Sequence, residues 1–324
     1  MSKRALGNAL LVLTAMIWGL AFVAQKKGAE TLEPFTLNGI RFFIAAAVLI
    51  PVIIISIKAE RKAIAKRKEG EYTPKTETEK IALEAFTEEH PAGKKDDIIK
   101  GGIFCGIVLF CASSLQQIGI TYTTAGKSGF ITAFYIVLVP VLGIVIGKKI
   151  RPILWLCVAL ALFGLYLICI KEGFTVNKGD LLVFACAFCY AVHILVIDHF
   201  SPRVNGILLS CIQFTIVGIL SIPFMAIFET VEIDKILECW LPLCYAGVMA
   251  GGVGFTLQIV AQKYTEPTVA SLLMSLESVF AVLGGWIILS EVLSTKEAIG
   301  CVIMFIAIIL SQLPPRNKPD TLNR

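Results

Sequence analysis

The chain has 324 residues, of which 56% are apolar and only 16% are charged, and its mean hydropathy is +0.81. A soluble domain of this length needs more polar surface than this composition supplies, because its outside must face water. The composition therefore argues against an ordinary soluble protein and predicts a surface that faces lipid. The formal net charge of +5 does not indicate a nucleic-acid partner, because the basic residues follow the membrane topology predicted below.

Ten apolar stretches are long enough to cross a hydrocarbon core of roughly 30 Å, which takes about 20 helical residues. Backbone polar groups in lipid must be hydrogen-bonded within the segment, so each stretch is predicted to be a helix. In chain order the predicted spans are residues 6–24, 34–57, 101–121, 127–147, 152–170, 179–197, 205–228, 239–262, 267–290 and 296–313. The expected fold class is an all-α integral membrane protein with ten transmembrane helices.

The Lys and Arg residues predict which side of the membrane each loop occupies. With a cytoplasmic N-terminus, 21 of them fall on the cytoplasmic side and 7 on the other. We therefore expect a multi-pass protein of the cytoplasmic membrane, with both termini in the cytoplasm and residues 314–324 as a cytoplasmic tail.

One long polar insertion, residues 58–100, interrupts this pattern on the cytoplasmic side. Its early part is a basic stretch suited to anionic lipid headgroups. The rest is either a solvated loop with one amphipathic helix around residues 77–88, or a regulatory or partner-binding segment.

A sequence echo relates the third span to the eighth. Leu, Gln, Tyr and Thr recur at identical spacing in residues 115–123 (LQQIGITYT) and 257–265 (LQIVAQKYT). Beyond the two tyrosines, Pro140 lies 18 positions on and Ser278 lies 14 positions on, a difference of about one helical turn.

Five spans is an odd number, so two copies of a five-span unit must have opposite orientations in the membrane. We therefore predict two inverted five-helix repeats. The first comprises residues 1–57 and 101–172, and the second comprises residues 178–313. Such repeats enclose a site near the membrane midplane, to which rocking of one half against the other gives access from either side.

Short motifs along the chain resemble the drug/metabolite transporter superfamily in its EamA-like branch. They are Ile17-Trp18-Gly19, Gly39-Ile40-Arg41-Phe42, residues 115–132 (LQQIGITYTTAGKSGFIT), Leu138-Val139-Pro140 and residues 275–291 (SLESVFAVLGGWIILSE). The resemblance covers nearly the whole chain except residues 58–100. It implies ten helices, two inverted repeats, cytoplasmic termini and a central cavity, and export or import of amino acids, other metabolites or drugs. The family usually has Glu-Pro where this chain has Glu277-Ser278.

Charged side chains within predicted spans are candidates for function, because a charge in hydrocarbon costs a few kcal/mol. Glu277 is either a protonatable group that couples proton movement to transport, a contact for a substrate amine, or a structural carboxyl. Arg41 is either a functional cation or a structural guanidinium that bonds helix-terminal carbonyls. Glu291 ends the ninth span and is expected at the interface.

Polar side chains also share faces of several predicted helices, where they either line a cavity or bond neighbouring helices. His193 has a pKa range suited to proton handling, and a structural hydrogen bond is the alternative. The candidates for a substrate cavity are Trp18, Gln116, Thr132, Tyr135, Tyr190, His193, Gln258, Ser271 and Ser275.

The leading functional hypothesis is a secondary transporter of small organic solutes, whose partners are the solute, the lipid bilayer and, in the coupled version, a proton. We expect no cofactor, metal site or catalytic residue, since no Walker-type loop or metal-ligand set is evident. A membrane enzyme acting on lipid-linked substrates is an alternative, with Asp198 and His199 as its nearest candidates. A receptor or scaffold that uses residues 58–100 is another. The solute, its direction, the coupling ion and the oligomeric state are not specified by the sequence.

Overall fold

The computed structural model describes residues 3–68, 95–123, 125–169, 176–288 and 294–313, and every regular element within them is helical. The α-helices are α1 (Lys3–Gly28), α2 (Pro34–Lys68), α3 (Lys95–Tyr122), α4 (Ala125–Thr132), α5 (Tyr135–Val145), α6 (Pro152–Cys169), α7 (Lys178–Phe200), α8 (Gly206–Phe228), α9 (Ile233–Glu238), α10 (Trp240–Cys244), α11 (Thr256–Gln262), α12 (Pro267–Met274), α13 (Glu277–Ile288) and α14 (Thr295–Ser311). A π-helix, Tyr245–Phe255, joins α10 to α11. Glu291 and the amphipathic helix expected around residues 77–88 lie outside the described residues.

Seven stretches of the described chain are long and apolar enough to cross a membrane. They are Lys3–Gly28, Pro34–Ile55, Asp96–Tyr122, Lys127–Val145, Lys178–Phe200, Gly206–Phe228 and Trp240–Gln262. Two shorter apolar helical stretches, Pro152–Ile168 and Pro267–Leu283, accompany them. Large apolar side chains also cover the outside of the bundle: Val145 is 78% exposed and Ile227 71%. Such a surface suits lipid rather than water, so the chain is an all-α, multi-pass integral membrane protein.

Side-chain caps fix where several helices begin. At α7, Asn177 accepts a hydrogen bond from the Asp180 backbone N–H, and the Asp180 carboxylate accepts one from the Asn177 backbone. This reciprocal arrangement satisfies two backbone donors that the first helical turn leaves without partners. Glu229, which follows α8, caps a different helix: its carboxylate accepts from the backbone N–H groups of Phe35 and Thr36 at 2.6 and 2.7 Å. The end of α8 is thereby fixed to the start of α2.

Two of the predicted spans are interrupted rather than continuous. Between α4 and α5 the backbone hydrogen bonds span three residues instead of four. The Phe134 N–H donates to the Ile131 carbonyl, and the Ile136 N–H donates to the Ala133 carbonyl. Between α12 and α13 the same i→i+3 spacing appears, from Leu276 to Leu273 and from Ser278 to Ser275. The helix that follows each interruption begins with a buried residue: Tyr135 in α5 and Glu277 in α13.

The largest helix–helix contacts fall into two regions of the bundle. In one region α1 packs against α13 and the π-helix, and α2 packs against the π-helix. In another, α7 packs against α5 and α3, and α8 packs against α3. The remaining large contacts join α2 to α8 and α6 to α14.

Small residues allow the closest of these approaches. A Cβ at Gly164 would lie 2.9 Å from the Gly300 carbonyl oxygen, and a Cβ at Gly300 would lie 2.7 Å from that of Gly164. Only glycine fits both positions without displacement, so α6 and α14 contact each other through their backbones. In lipid the hydrophobic effect does not drive helices together, because the lipid tails are as apolar as the helix surfaces. Close packing of helix backbones of this kind drives their association instead.

Candidate functional site

A cavity lies in the centre of the bundle, between the first and second halves of the chain. Its interior offers about 50 Å³ to the centres of water molecules. One water needs roughly 10–15 Å³ by this measure, so the cavity has room for a few. The side chains and backbone that line it are those of Trp18, Phe22, Gln25, Arg41, Phe42, Gln116, Thr132, Tyr135, Tyr190, Ile194, Ala246, Ala250, Gly251, Phe255, Gln258, Met274 and Glu277.

Aromatic rings form one wall of the cavity. The rings of Trp18 and Phe255 lie 4.7 Å apart, and those of Phe42 and Phe255 lie 6.1 Å apart. The Trp18 Nε1–H donates to the carbonyl of Ala250 at 3.0 Å, which fixes the indole. A Cβ at Gly254 would lie 2.6 Å from that nitrogen, so glycine in the π-helix makes room for the indole.

Amide and hydroxyl groups occupy another part of the lining. The Gln116 side chain donates to Thr132 Oγ1 at 3.2 Å and accepts from the Tyr190 hydroxyl at 3.4 Å. Gln258 is 1% exposed, and its Oε1 has no hydrogen-bond partner among the described residues. A buried acceptor without a partner is costly, which makes it a place for a water or a solute donor.

Glu277 places a carboxyl group in the cavity and is itself 4% exposed. The Tyr135 hydroxyl donates to Glu277 Oε1 at 3.3 Å. These two residues each begin the second helix of an interrupted span, so their hydrogen bond links the two interruptions across the cavity. Gly19 supports this arrangement from α1, because a Cβ there would lie 2.6 Å from the Glu277 carbonyl oxygen.

Arg41 places a guanidinium in the same cavity and is 5% exposed. Its Nε and one terminal nitrogen donate to Asn38 Oδ1 at 3.2 and 2.9 Å. Asn38 in turn donates through Nδ2 to the hydroxyls of Ser113 and Ser114 on α3, at 3.0 and 3.3 Å. Asn38 therefore positions the guanidinium, and the serines position Asn38.

The cavity gathers eight of the eleven candidates from the sequence: Trp18, Arg41, Gln116, Thr132, Tyr135, Tyr190, Gln258 and Glu277. The other three do not line it. His193 is fully buried and its Nε2 lies 3.1 Å from Gln213 Oε1. Ser271 and Ser275 donate to carbonyls of their own helix, those of Thr268 and Leu272. A part in transport stays a prediction for all eleven residues.

Sequence reasoning missed most of the apolar lining, including Phe42, Phe255 and Met274. Phe42 belongs to the Gly39–Phe42 motif, but the motif alone does not place its ring in a cavity. In a membrane protein an apolar side chain gives no signal by itself, because lipid and cavity wall are equally apolar.

Ion pairs tie α7 to the interrupted span α4–α5 at both ends. Near the start of α7, Lys127 Nζ lies 2.5 Å from Asp180 Oδ2, and the Thr123 hydroxyl donates to Asp180 at 2.8 Å. Near its end, Lys148 pairs with Asp198. His199, the other enzyme candidate, accepts from Arg203. Asp198 and His199 are thus engaged with cations outside the central cavity.

A wider recess opens beside the Lys148–Asp198 pair and offers about 470 Å³ by the same measure. Gln262 contributes to its lining, one helical turn beyond Gln258 of the central cavity. On α7, the consecutive residues Ile194 and Leu195 line different spaces: Ile194 lines the cavity and Leu195 lines the recess. The two spaces are therefore separated by about one turn of α11, and they lie on neighbouring faces of α7.

A family model described as the EamA-like transporter family matches residues 5–70, 81–170 and 177–313. The first two ranges include residues 58–70 and 81–100 of the polar insertion, which the sequence motifs did not cover. They leave out residues 71–80. This agrees with the continuation of α2 to Lys68.

Relatives in other organisms match over almost the full length. An uncharacterized transporter of Archaeoglobus fulgidus is 30% identical over 314 residues, covering 96% of this chain and 87% of the relative. An uncharacterized transporter of Clostridium kluyveri is 22% identical and covers 97% and 95%. Another, YoaV of Bacillus subtilis, is 20% identical and covers 93% and 94%. A solved crystal structure shares the fold with a TM-score of 0.69 at 17% identity, over 94% of this chain and 96% of that chain.

Proposed function

This chain belongs to the EamA-like transporter family, and we propose that it is a secondary transporter of small organic solutes that works by alternating access. The membrane is the cytoplasmic membrane, and both termini face the cytoplasm. The ten spans form two inverted repeats, residues 1–57 with 101–172 and residues 178–313. Their interface encloses the central cavity, which is the solute site.

The helix packing supports the inverted repeats. The comparison takes α1 to correspond to α7, α2 to α8, α5 to α13, and α3 to the segment formed by the π-helix and α11. Large contacts between the halves then occur in corresponding pairs. The packing of α1 on α13 corresponds to that of α7 on α5, and the packing of α2 on the π-helix corresponds to that of α8 on α3. The contacts of α2 with α8 and of α6 with α14 lie on the pseudo-two-fold axis and correspond to themselves.

Residues at corresponding positions then meet in the cavity, and this observation carries the proposal. Gln116 and Gln258 are 142 positions apart, as are Tyr135 and Glu277, and all four line the cavity. Trp18 and its counterpart Tyr190, 172 positions on, also line it. A site built from equivalent positions of two opposed halves is the geometry that alternating access requires.

A second pair of equivalent contacts lies outside the cavity. Asp180, near the start of α7, accepts from Thr123 at 2.8 Å, and Asn8, near the start of α1, accepts from Thr265 at 3.0 Å. The two threonines are again 142 positions apart, and Asn8 and Asp180 are 172 apart. In an inverted arrangement these contacts lie at opposite membrane faces, where they join each half to the other.

Proton coupling is part of the proposal through Glu277. It is the cavity's carboxyl group, and its only hydrogen-bond donor among the described residues is the Tyr135 hydroxyl, which belongs to the other half. A change in its charge therefore alters a contact between the two halves. On the predicted cytoplasmic side, the recess beside Lys148 and Asp198 is the approach to the site.

Solute flux in proteoliposomes tests the proposed function. Purified protein is reconstituted, and uptake of radiolabelled amino acids, organic acids and organic amines is compared with that of protein-free liposomes, with and without an imposed pH gradient. We expect saturable, protein-dependent flux of at least one solute, with a rate that responds to the gradient. A panel in which nothing exceeds the protein-free rate would refute the function, and flux indifferent to the gradient would remove proton coupling from it.

A further inference from the structure

Asp180 is a buried carboxylate that joins the two halves of the chain at the predicted outer side of the membrane. It lies near the start of α7 and is 3% exposed. From the first half, the Thr123 hydroxyl donates to its Oδ1 at 2.8 Å, and Lys127 Nζ lies 2.5 Å from its Oδ2. The Asn177 backbone N–H also donates to Oδ2, at 2.8 Å. This last bond fixes the carboxylate on α7, while the other two contacts cross the interface between the halves.

The equivalent contact on the predicted cytoplasmic side is between neutral side chains. There the Thr265 hydroxyl donates to Asn8 at 3.0 Å, and Asn8 donates to Gln312. The position that corresponds to Lys127, 142 residues further on, is Val269, which is fully buried. The two contacts are therefore equivalent in place but different in chemistry, with an ion pair on one side and neutral hydrogen bonds on the other.

Separating the halves at the outer contact would return Asp180 and Lys127 to water, whereas here their side chains are only 4% and 14% exposed. A charge that stays buried after losing its counter-charge is strongly disfavoured. A matched pair avoids that cost, and so do two neutral side chains. Closure at this point therefore depends on charge balance between positions 127 and 180, a condition that the neutral contact at Asn8 does not impose.

We propose that Asp180 and Lys127 form the latch of an outer gate, which closes when the charges at these two positions balance and opens to the outer side when they do not. This inference rests on the proposed alternating access and names the residues that set the equilibrium of one gate. Neither residue is among those that line the central cavity. The latch therefore acts on which side reaches the solute site, and not on the contacts of the solute.

Labelling of a single cysteine in the cavity measures this equilibrium. Thr132→Cys is introduced into a variant whose native cysteines are replaced, and the protein is reconstituted in one orientation in liposomes. Membrane-impermeant thiol reagents of two masses are applied, one to each side, and the ratio of the outer to the inner labelling rate is read by mass spectrometry. When opening is fast compared with labelling, this ratio follows the populations open to the two sides.

Either single neutralisation should favour opening to the outer side. Asp180→Asn takes this carboxylate from Lys127 in the closed state, and Lys127→Met takes this ammonium from Asp180. We expect each to raise the ratio about tenfold or more, a free-energy change of about 1.4 kcal/mol. The double variant is neutral at both positions, and its new amide still accepts from Thr123. It should therefore return the ratio to within about threefold of the wild type.

The double variant separates a latch from ordinary damage to the fold. Two independent losses of packing add, so they would move the ratio further from the wild type rather than back, and general unfolding would raise labelling from both sides alike. Where one single variant does not fold, the other single variant and the double variant carry the same comparison. No rise in the ratio, a rise in labelling from both sides alike, or a double variant further from the wild type than the single ones would overturn the proposal.

Asp198→Asn is the matched control, because it makes the same substitution at the other end of α7. Asp198 and Lys148 also join the two halves, but their side chains are 19% and 35% exposed, and a pair that water already reaches contributes little. We expect a ratio within about fivefold of the wild type, with no rise toward the outer reagent. A rise equal to that of Asp180→Asn would show that any lost carboxylate on α7 shifts the equilibrium, and would overturn the latch.

The same labelling distinguishes the latch from alternating access itself. If position 132 of the otherwise unaltered cysteine-free protein reacts from one side only, or from neither, alternating access is contradicted and the latch falls with it. Reaction from both sides, with a ratio indifferent to the charges at positions 127 and 180, would leave the transporter in place and reject only the latch.

Discussion

Two ion pairs connect α7 to the span α4–α5, one at each end, and they should differ strongly in what they contribute to stability. The side chains of Asp180 and Lys127 are 4% and 14% exposed, whereas those of Asp198 and Lys148 are 19% and 35% exposed. Asp180 also accepts from Thr123 and from the backbone of Asn177, at 2.8 Å each. We predict that Asp180→Asn destabilises the protein much more than the matched substitution Asp198→Asn.

The magnitudes follow from burial. Removing one partner of a buried ion pair leaves an uncompensated charge and costs about 3–5 kcal/mol. Asparagine keeps one acceptor oxygen for Thr123, so the lower end, about 3 kcal/mol, is the expectation for Asp180→Asn. A pair of the exposure of Lys148–Asp198 contributes roughly 0–1 kcal/mol, and Asp198→Asn should cost no more than that.

Reversible unfolding in mixed detergent and SDS micelles measures both free energies of unfolding. A double-mutant cycle with Lys127→Met separates the pair from the surrounding hydrogen bonds. In that cycle Asp180→Asn should cost less when Lys127 is already replaced, because the ion pair is then already absent. Equal costs for Asp180→Asn and Asp198→Asn, or a coupling near zero between residues 180 and 127, would refute the argument from burial.

Four further predictions concern the scaffold and the site. Glu229→Ala should lower the free energy of unfolding by about 0.5–2 kcal/mol through loss of the α2 cap, and an unchanged value in the same micelle titration would contradict the cap. Gly164→Leu should separate α6 from α14 and cost at least about 1–3 kcal/mol; a stability equal to the wild type would mean that these helices do not cross there. Gly254→Ala should displace the Trp18 indole, seen as a change in tryptophan emission and a fall in solute flux, and an unaltered spectrum would contradict the contact. Tyr135→Phe, which removes a hydrogen bond of about 1 kcal/mol, should slow solute flux about fivefold, and a wild-type rate would argue against a functional link between the two halves.

The membrane-spanning, all-helical character of the chain was predictable, because long apolar runs are read directly from the sequence. The echo between residues 115–123 and 257–265 contains Gln116 and Gln258, and both side chains line the cavity. The comparison of Pro140 with Ser278 differs by four positions from the 142-position spacing of the two glutamines. In the structure the spacing stays constant from the tyrosines to Tyr135 and Glu277, and the helix is interrupted before Glu277 without any proline there.

Other features of the site carried little signal in the sequence. The π-helix that brings Phe255 and the glycine-rich wall to the cavity depends on tertiary packing, with α2 and Trp18 against its small residues. His193 looked like a cavity residue because its helical face also carries Tyr190. The helix turns it instead toward Gln213 on α8, and periodicity alone does not tell which neighbour a polar face meets. Arg41 and Glu277 were identifiable as charges, but only the structure brought them into one cavity.

Access to the cavity from both sides of the membrane tests the central claim most directly. Thr132→Cys, at a cavity position in α4, is introduced into a variant whose native cysteines are replaced, and the protein is reconstituted in liposomes. Membrane-impermeant thiol reagents of two different masses are then applied, one outside and one inside, and the labelled fractions are read by mass spectrometry in oriented samples. The account predicts that position 132 reacts with the reagent on either side, each at a finite rate. Reaction from one side only, or from neither, would contradict alternating access at this cavity.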